Sequence, residues 1–431
     1  MPTLYIDNFR GFTKTFLSFS DMNFFVGENS TGKTSLIKLI GILSSNDFWN
    51  YQQFGSDSTE LGEFVEIANS TQSINNEQFE VAFFEENHDL TDFIAIRLKF
   101  IEQDTKPEVK EIKLINGPFE IQISIQGLFA KYRIISRSRV DSEKYDDNLE
   151  IFKNWINSID LSKSPFQSIR RKGKGLLSLF NDLNSEIRKF NTESEIPSFV
   201  TPSFFTNCAW FSPSRENPKK TYDSPILSFD SQGRHIPYIF KKYLEDDPIS
   251  QHIIDRFGSD SGLYDAFSVK SLSKSLQTEP FQMVFNLNGS DRNITSVGYG
   301  VSQIFPIVVE VIARFRPTWF AIQQPEIHLH PRAQAAFGDF LFKSDIEDKH
   351  RFIVETHSDF IIDRYRIRLN KYLRKNGKPV DSTAQVIFFS RSKEGNSLTT
   401  ITINPDGSYS DDQPDDFRNF FIREQLDLIN I

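Results

Sequence analysis

The chain has 431 residues, a formal net charge of −9, and 38% hydrophobic and 25% charged residues. That composition excludes a disordered or collagen-like chain, and the acidic balance leaves nucleic-acid binding to local patches only. Cys208 is the single cysteine, which excludes an internal disulfide and a cysteine metal cluster, and no apolar run approaches the ~20 residues that span a bilayer.

The opening "MPTLYIDNFRGF" has neither a basic n-region nor an apolar h-region, so a cytoplasmic protein is expected. The 43 phenylalanines read as a compositional bias of the source genome. In chain order, "TLYIDNF", "TFLSFS" and "MNFFV" read as strands, followed by a glycine loop and the helix "KTSLIKLIGIL". Alternation and β-branched or aromatic content then predict strands over 79–86, 93–102, 109–115, 119–126 and near 132–138. From about 145 to 195 the periodicity turns helical in "NLEIFKNWINSI" and "LLSLFNDLNSEIRKF", with the basic punctuation "SPFQSIRRKGKG" between them.

The last third alternates helix and strand. "GVSQIFPIVVEVIARF" leads to the strand "TWFAI", then "PRAQAAFGDFLF" to "RFIVE", "SDFIIDRYRIRLNKYLRK" to "AQVIFFS", and a final strand "SLTTITIN". Such alternation predicts an α/β fold with a parallel-rich sheet. The expected organisation is 1–138 as an N-terminal half, 139–200 as a helical insertion and 201–431 as a C-terminal half.

"GENSTGKT" (27–34) matches G-x-x-x-x-G-K-[ST] between a predicted strand and a predicted helix, the context that a phosphate-binding P-loop needs. The backbone N–H groups of Gly27, Asn29, Ser30, Thr31, Gly32 and Ser35 are placed to cradle phosphates. Lys33 can reach the β- and γ-phosphates, and Thr34 is the expected Mg²⁺ ligand.

Four segments, "LYIDNFRGF", "SVGYGVSQIFPIVVEVI", "QQPEIHLHPRAQ" and "FIVETHSDFII", stand in the order of an ABC-type ATPase head. Together with "WFSPSRENPKK" and the tail "INPDGSYSDDQPDDFRNFFIREQ", they make the chain resemble the ATPases of the SMC, RecF and OLD group. Within that group it is most similar to the compact PtuA-like ATPases of Septu-type antiphage systems. The resemblance implies an ABC-type P-loop head with mixed β-sheet lobes, binding ATP and Mg²⁺ and working as a homodimer or higher oligomer. It further implies control of a partner effector such as a nuclease. Each ATP would lie between one subunit's P-loop and the "GYGVSQ" segment of another, with Gly300 or Ser302 as the closest contact. His357 matches the switch histidine, and Arg10 would approach the nucleotide. The alternatives are a DNA repair ATPase of RecF/SMC type and a scaffold that binds ATP without hydrolysing it.

The same resemblance puts "QQPE" where Asp-Glu-Pro usually ends a strand. Gln323 then takes the metal-organising position and Gln324 that of the base, with Glu326 just beyond. A glutamine carries no charge and accepts no proton, so attenuated hydrolysis is expected. Three explanations fit the residues: a natural ATP-held protein, a carboxylate supplied by Glu326 or Glu355, or a glutamate replaced at 323 to trap the ATP state. His328, His330 and His357 could suggest zinc, but no Cys or carboxylate cluster accompanies them at ligand spacing. Basic residues in 168–175 and on the helix after 358 are local patches, the second reading as a solvated face.

Overall fold

A computed structural model describes residues 1–55, 59–68, 77–86, 93–117, 119–136, 147–158, 164–190, 201–272, 280–393, 395–411 and 413–417. The end of the tail motif, 418–425, and parts of the expected insertion, 139–146, 159–163 and 191–200, lie outside the described residues.

The chain opens with β1 (Thr3–Asp7), β2 (Thr15–Ser18), β3 (Met22–Gly27), α1 (Lys33–Leu43) and α2 (Asn46–Tyr51). Next come β4 (Gln78–Glu86), β5 (Phe93–Gln103), β6 (Lys106–Asn116), β7 (Phe119–Gln126) and β8 (Phe129–Ser136). α3 (Asn148–Asn157), β9 (Gln167–Arg170), α4 (Leu176–Phe190), β10 (Cys208–Phe211) and α5 (Pro248–Ser261) follow. β11 (Ala266–Ser271), β12 (Phe281–Leu287), β13 (Ser290–Asn293) and α6 (Tyr299–Ala313) lead to β14 (Trp319–Gln323) and α7 (Pro331–Ile346). The last elements are β15 (Arg351–Glu355), α8 (Asp359–Asn376), β16 (Ala384–Ser392) and β17 (Gly395–Ile403).

Two compact units result. The first comprises 1–19, 38–207 and 390–398. Its sheet has the order β2-β1-β4-β5-β6-β7-β8-β9, with antiparallel pairing throughout. Ile151, Phe152, Trp155 and Ile156 form one face of α3 and bury it with Tyr5, Phe84 and Ala95 of the sheet. Asp147 caps that helix, accepting from the Leu149 N–H at 2.9 Å. The phenylalanines are core material here: Phe79 and Phe100 stack at 4.6 Å, with Phe48 and Phe54 against Phe100. Tilted and offset rings of this kind add to their area burial.

In this unit the sheet edge differs from the sequence reading. The basic punctuation contains β9, whose Gln167–Arg170 pair with β8 at the sheet edge. Its side chains are mostly exposed, so it lacks the apolar alternation that marks a strand. Beside it Arg171 is buried, its guanidinium donating to the carbonyl oxygens of Gly127, at 3.2 Å, and Lys174. This clip withdraws one charge of the basic patch from solvent.

The second unit comprises 20–37, 208–389 and 399–431, within which 418–431 are not described. Its sheet has the order β10-β14-β15-β3-β16-β17, and the four pairings from β10 to β16 are parallel. β3, β14 and β15 are buried almost end to end, which explains their unbroken apolar runs. Because these strands run in parallel, the loops after β3, β10, β14 and β15 all leave from one end of the sheet. α7 packs against α5, α8 and β15, and α6 is buried along most of its length. The antiparallel β11-β12-β13 sheet adds Phe267, Met283 and Phe285 to the same core.

In the loop after β10, burial pushes the Arg215 guanidinium down to about 9, and its Nε and Nη1 have no hydrogen-bond partner. It sits over the Phe211 ring at 5.3 Å. An unpaired buried cation costs more than an apolar side chain of similar length. Arg215→Met is therefore expected to stabilise the protein by about 1–4 kcal/mol, read as a rise in the urea midpoint near pH 7. A lower midpoint would contradict this.

Candidate functional site

The loop after β3 holds the geometry that its sequence demands. Gly27 has φ +142°, Ser30 +63° and Gly32 +96°, so two glycines take backbone angles that other residues rarely adopt. A Cβ on Gly27 would lie 2.2 Å from the Phe389 carbonyl oxygen. Glu28, Asn29 and Ser30 form the exposed crest, Gly32 and Ser35 are half-buried, and Thr34 is exposed at the start of α1. The Thr31 hydroxyl donates to the Glu28 carbonyl at 2.8 Å.

Lys33 is buried and donates through Nζ to the carbonyl oxygens of Gly27 and Glu28, at 2.7 and 2.6 Å. Burial lowers its pKa, against the opposing pull of the Glu355 and Glu28 carboxylates. The ammonium thus stands inside the loop, ready for an anionic oxygen that is a better acceptor than a peptide carbonyl.

The ends of β14 and β15 adjoin this loop. Gln323 and Glu355 are register partners, and both are buried. Gln323 Nε2 donates to Glu355 Oε2 at 2.9 Å, while the Thr34 hydroxyl donates to Glu355 Oε1 at 2.7 Å. Gln324 turns the chain at φ +43° and donates its N–H to the Glu355 carbonyl at 2.8 Å.

Glu326 accepts from the Thr356 hydroxyl at 2.9 Å and from the His357 N–H at 2.7 Å. Burial pushes its carboxyl up, and those two donors pull it back. Its role in this geometry is to tie the loop after β14 to the loop after β15. His357 is exposed at the surface of the same site. Partial burial, and then the charge of Lys33, lower its pKa, so the neutral ring is favoured. Ser358 caps α8, accepting from the Ile361 N–H and donating to Gln334 Oε1 at 2.6 Å.

The start of α6 lies against the loop after β14. A Cβ on Gly300 would meet the His328 carbonyl oxygen at 2.8 Å, and the Tyr299 ring stands edge-on to His328 at 4.8 Å. Gly300 and Ser302 are both buried, and the Ser302 hydroxyl donates to the Tyr299 carbonyl at 2.8 Å. The residues displayed at this helix start are Gly298 and Tyr299, which open the "GYGVSQ" segment, rather than Gly300 or Ser302. His330 caps α7 through Nδ1, accepting from the Ala333 N–H.

Arg10 lies in the first unit, where its N–H donates to the Ile67 carbonyl at 2.8 Å and its guanidinium to that of Leu61. Three of the arginines on α8 are engaged within the chain. Arg364 and Arg368 converge on Asp339, at 2.8 and 2.5 Å, and Arg366 covers the Tyr409 ring at 3.8 Å. Glu355, which the sequence offered only as an alternative to Glu326 for the missing carboxylate, closes β15 directly before Thr356 and His357.

Among known proteins, the chain is similar in structure to an Smc head bound to the C-winged helix domain of ScpA, with 13% identity and a TM-score of 0.47 over 93% of this chain and 97% of that one. It is also similar to an Smc head domain from Pyrococcus furiosus, at 11% identity and a TM-score of 0.45 over 99% and 100% of the chains. The SMC head domain from Thermotoga maritima gives 12% identity and a TM-score of 0.41 over 92% and 97%. A search of curated proteins gives no match. No described helix is long and apolar enough to cross a membrane. Residues 1–362 match the family described as AAA ATPase domain. With that match over most of its length, and a P-loop at the end of a parallel sheet, the chain belongs to the AAA ATPase domain family and has an α/β P-loop fold.

Proposed function

We propose that the protein binds Mg²⁺·ATP and uses its nucleotide state to gate a partner effector, a nuclease in bacterial antiphage defence. The observation that carries the nucleotide part is the joining of the P-loop to the strand ends through the Thr34–Glu355–Gln323 hydrogen bonds. Thr34 and Glu355, hard oxygen donors, would hold Mg²⁺, which would supply positive charge to offset that of the phosphates. Lys33 would hold the terminal phosphates, while Asn29, Ser30, Thr31 and Ser35 would offer backbone N–H groups. A second copy would close the site from the α6 side. The effector and its defence setting rest on the resemblance in motif order.

Turnover is slow in this reading. Gln323 and Gln324 cannot accept a proton, and both Glu326 oxygens already hold hydrogen-bond donors. Absence of a positioned base costs ~10²–10⁴-fold in rate. The engagement of Arg364, Arg366 and Arg368 within the chain weighs against a DNA-binding face on α8. The test is purification from the native host with ATP and Mg²⁺, measuring mass, co-purifying protein and phosphate release together. An ATP-dependent oligomer, an accompanying nuclease and turnover well below ~1 s⁻¹ are expected, far under typical enzyme rates. A monomer with salt-sensitive DNA affinity and no protein partner would overturn the gating proposal in favour of a repair-type ATPase.

A further inference from the structure

Glu355 closes β15 between the ends of β14 and β3, in register with Gln323 on one side and Phe25 on the other. It is 1% exposed. A carboxylate so deep in a protein needs donors or cations on its oxygens. Each of its oxygens accepts from one side chain: Oε1 from the Thr34 hydroxyl and Oε2 from Gln323 Nε2. Both donors are neutral. The nearby ammonium of Lys33 is committed to the Gly27 and Glu28 carbonyls.

The amide of Gln323 can face Glu355 in one way only. Turning it over would set two acceptors against each other across 2.9 Å. In the bonded orientation, Gln323 Oε1 is left buried without a hydrogen-bond partner. A native protein rarely leaves such an atom unsatisfied without a reason, and its cost is about that of a lost hydrogen bond. One carboxylate and one hydroxyl therefore meet beside the P-loop, and the amide that fixes the carboxylate carries an orphaned oxygen. All are hard oxygen donors of the kind that Mg²⁺ and its waters accept.

We infer that Glu355 is the metal-anchoring carboxylate of this site, partnered by Thr34, and that Gln323 is its positioning residue rather than a disabled ligand. The negative charge has moved one strand over, from the end of β14 to the end of β15. Gln323 fixes the Glu355 side chain by donation from Nε2, and its own oxygen is left free of any protein partner. The glutamine at 323 is then no evidence that the metal site is lost. This inference rests on the reading of 27–34 as a nucleotide-binding loop.

The experiment measures binding of a fluorescent ATP analogue to the full chain, first with EDTA and then along a Mg²⁺ titration. Glu355→Gln is nearly isosteric, and Gln323 can turn its Oε1 to accept from the new amide, so the fold is retained. In this variant the Mg²⁺ midpoint is expected to rise by about 100-fold or more, while binding in EDTA is retained or strengthened, because a negative charge beside the phosphates has been removed. Gln323→Met removes the positioning donor, and its midpoint is expected to rise by about tenfold, the lower end for loss of an outer partner of a metal ligand. Should Glu355→Gln not fold, Glu355→Asp draws the carboxylate back from Thr34 and is expected to raise the midpoint by at least about tenfold. An unchanged midpoint in the Glu355 variants, or a larger shift for Gln323→Met than for Glu355→Gln, overturns the inference. If the unaltered chain binds no nucleotide in either condition, the P-loop reading itself fails, and the two failures are told apart.

Discussion

Lys33→Ala is expected to lower ATP affinity by about 10²-fold, because one buried ammonium facing phosphate oxygens is worth about 3 kcal/mol. The same ammonium also ties the carbonyl oxygens of Gly27 and Glu28 into the loop. Part of the loss will therefore come from a looser loop. Lys33→Arg separates the two contributions. It keeps the charge, but its planar fork is too large for a pocket shaped around a single point donor, so affinity is expected to remain well below that of the unaltered chain. Calorimetry with circular dichroism as a folding control checks both variants. Unchanged affinity in Lys33→Ala with an intact fold would mean that phosphate is not bound here.

Gly27→Ala has the largest expected effect on stability. The residue sits at φ +142°, and a Cβ would lie 2.2 Å from the backbone oxygen of Phe389. Phe389 pairs with Gly27 on the neighbouring strand β16, so neither side can yield without breaking the sheet. Backbone strain and overpacking together cost about 2–5 kcal/mol. Gly298 is the matched control: it is exposed, has φ −60° and would place a Cβ in open space. Gly298→Ala is expected to stay within about 0.5 kcal/mol of the unaltered protein. Urea unfolding of the two variants gives the comparison, and equal midpoints would contradict this account of the loop.

The strands and helices that carry the site were legible because burial writes itself plainly into them. Strand β15 was read as 351–355 and is found as Arg351–Glu355; the helix after the P-loop was read as "KTSLIKLIGIL" and is found as Lys33–Leu43. Parallel strands buried on both faces give continuous apolar runs, and the P-loop glycines mark a turn that few other residues allow. β9 escaped because an exposed edge strand has no alternation to read. β11 to β13 had no assignment at all, since their polar outer faces and the turn at Asn288 and Gly289 dilute the pattern.

Within the site, the P-loop motif was readable from spacing alone, whereas Glu355 could be named only as one of two alternative carboxylates. Its partner Thr34 stands 321 residues away in sequence, and only the strand order β14-β15-β3 brings them together. The same holds for the basic face of α8. Its arginines were read as a solvated face, and Arg364 and Arg368 do stay partly exposed while Asp339 on α7 gathers both. Sequence spacing shows which residues share an element, and the partners across elements come from topology.

The most direct measurement is a calorimetric titration of the unaltered chain with ATP, with Mg²⁺ and with EDTA in its place. Saturable binding of one nucleotide per chain, clearly tighter with Mg²⁺ and weakened about 10²-fold by Lys33→Ala, is the predicted result. Absence of binding, or binding indifferent to both Mg²⁺ and Lys33, would contradict the account.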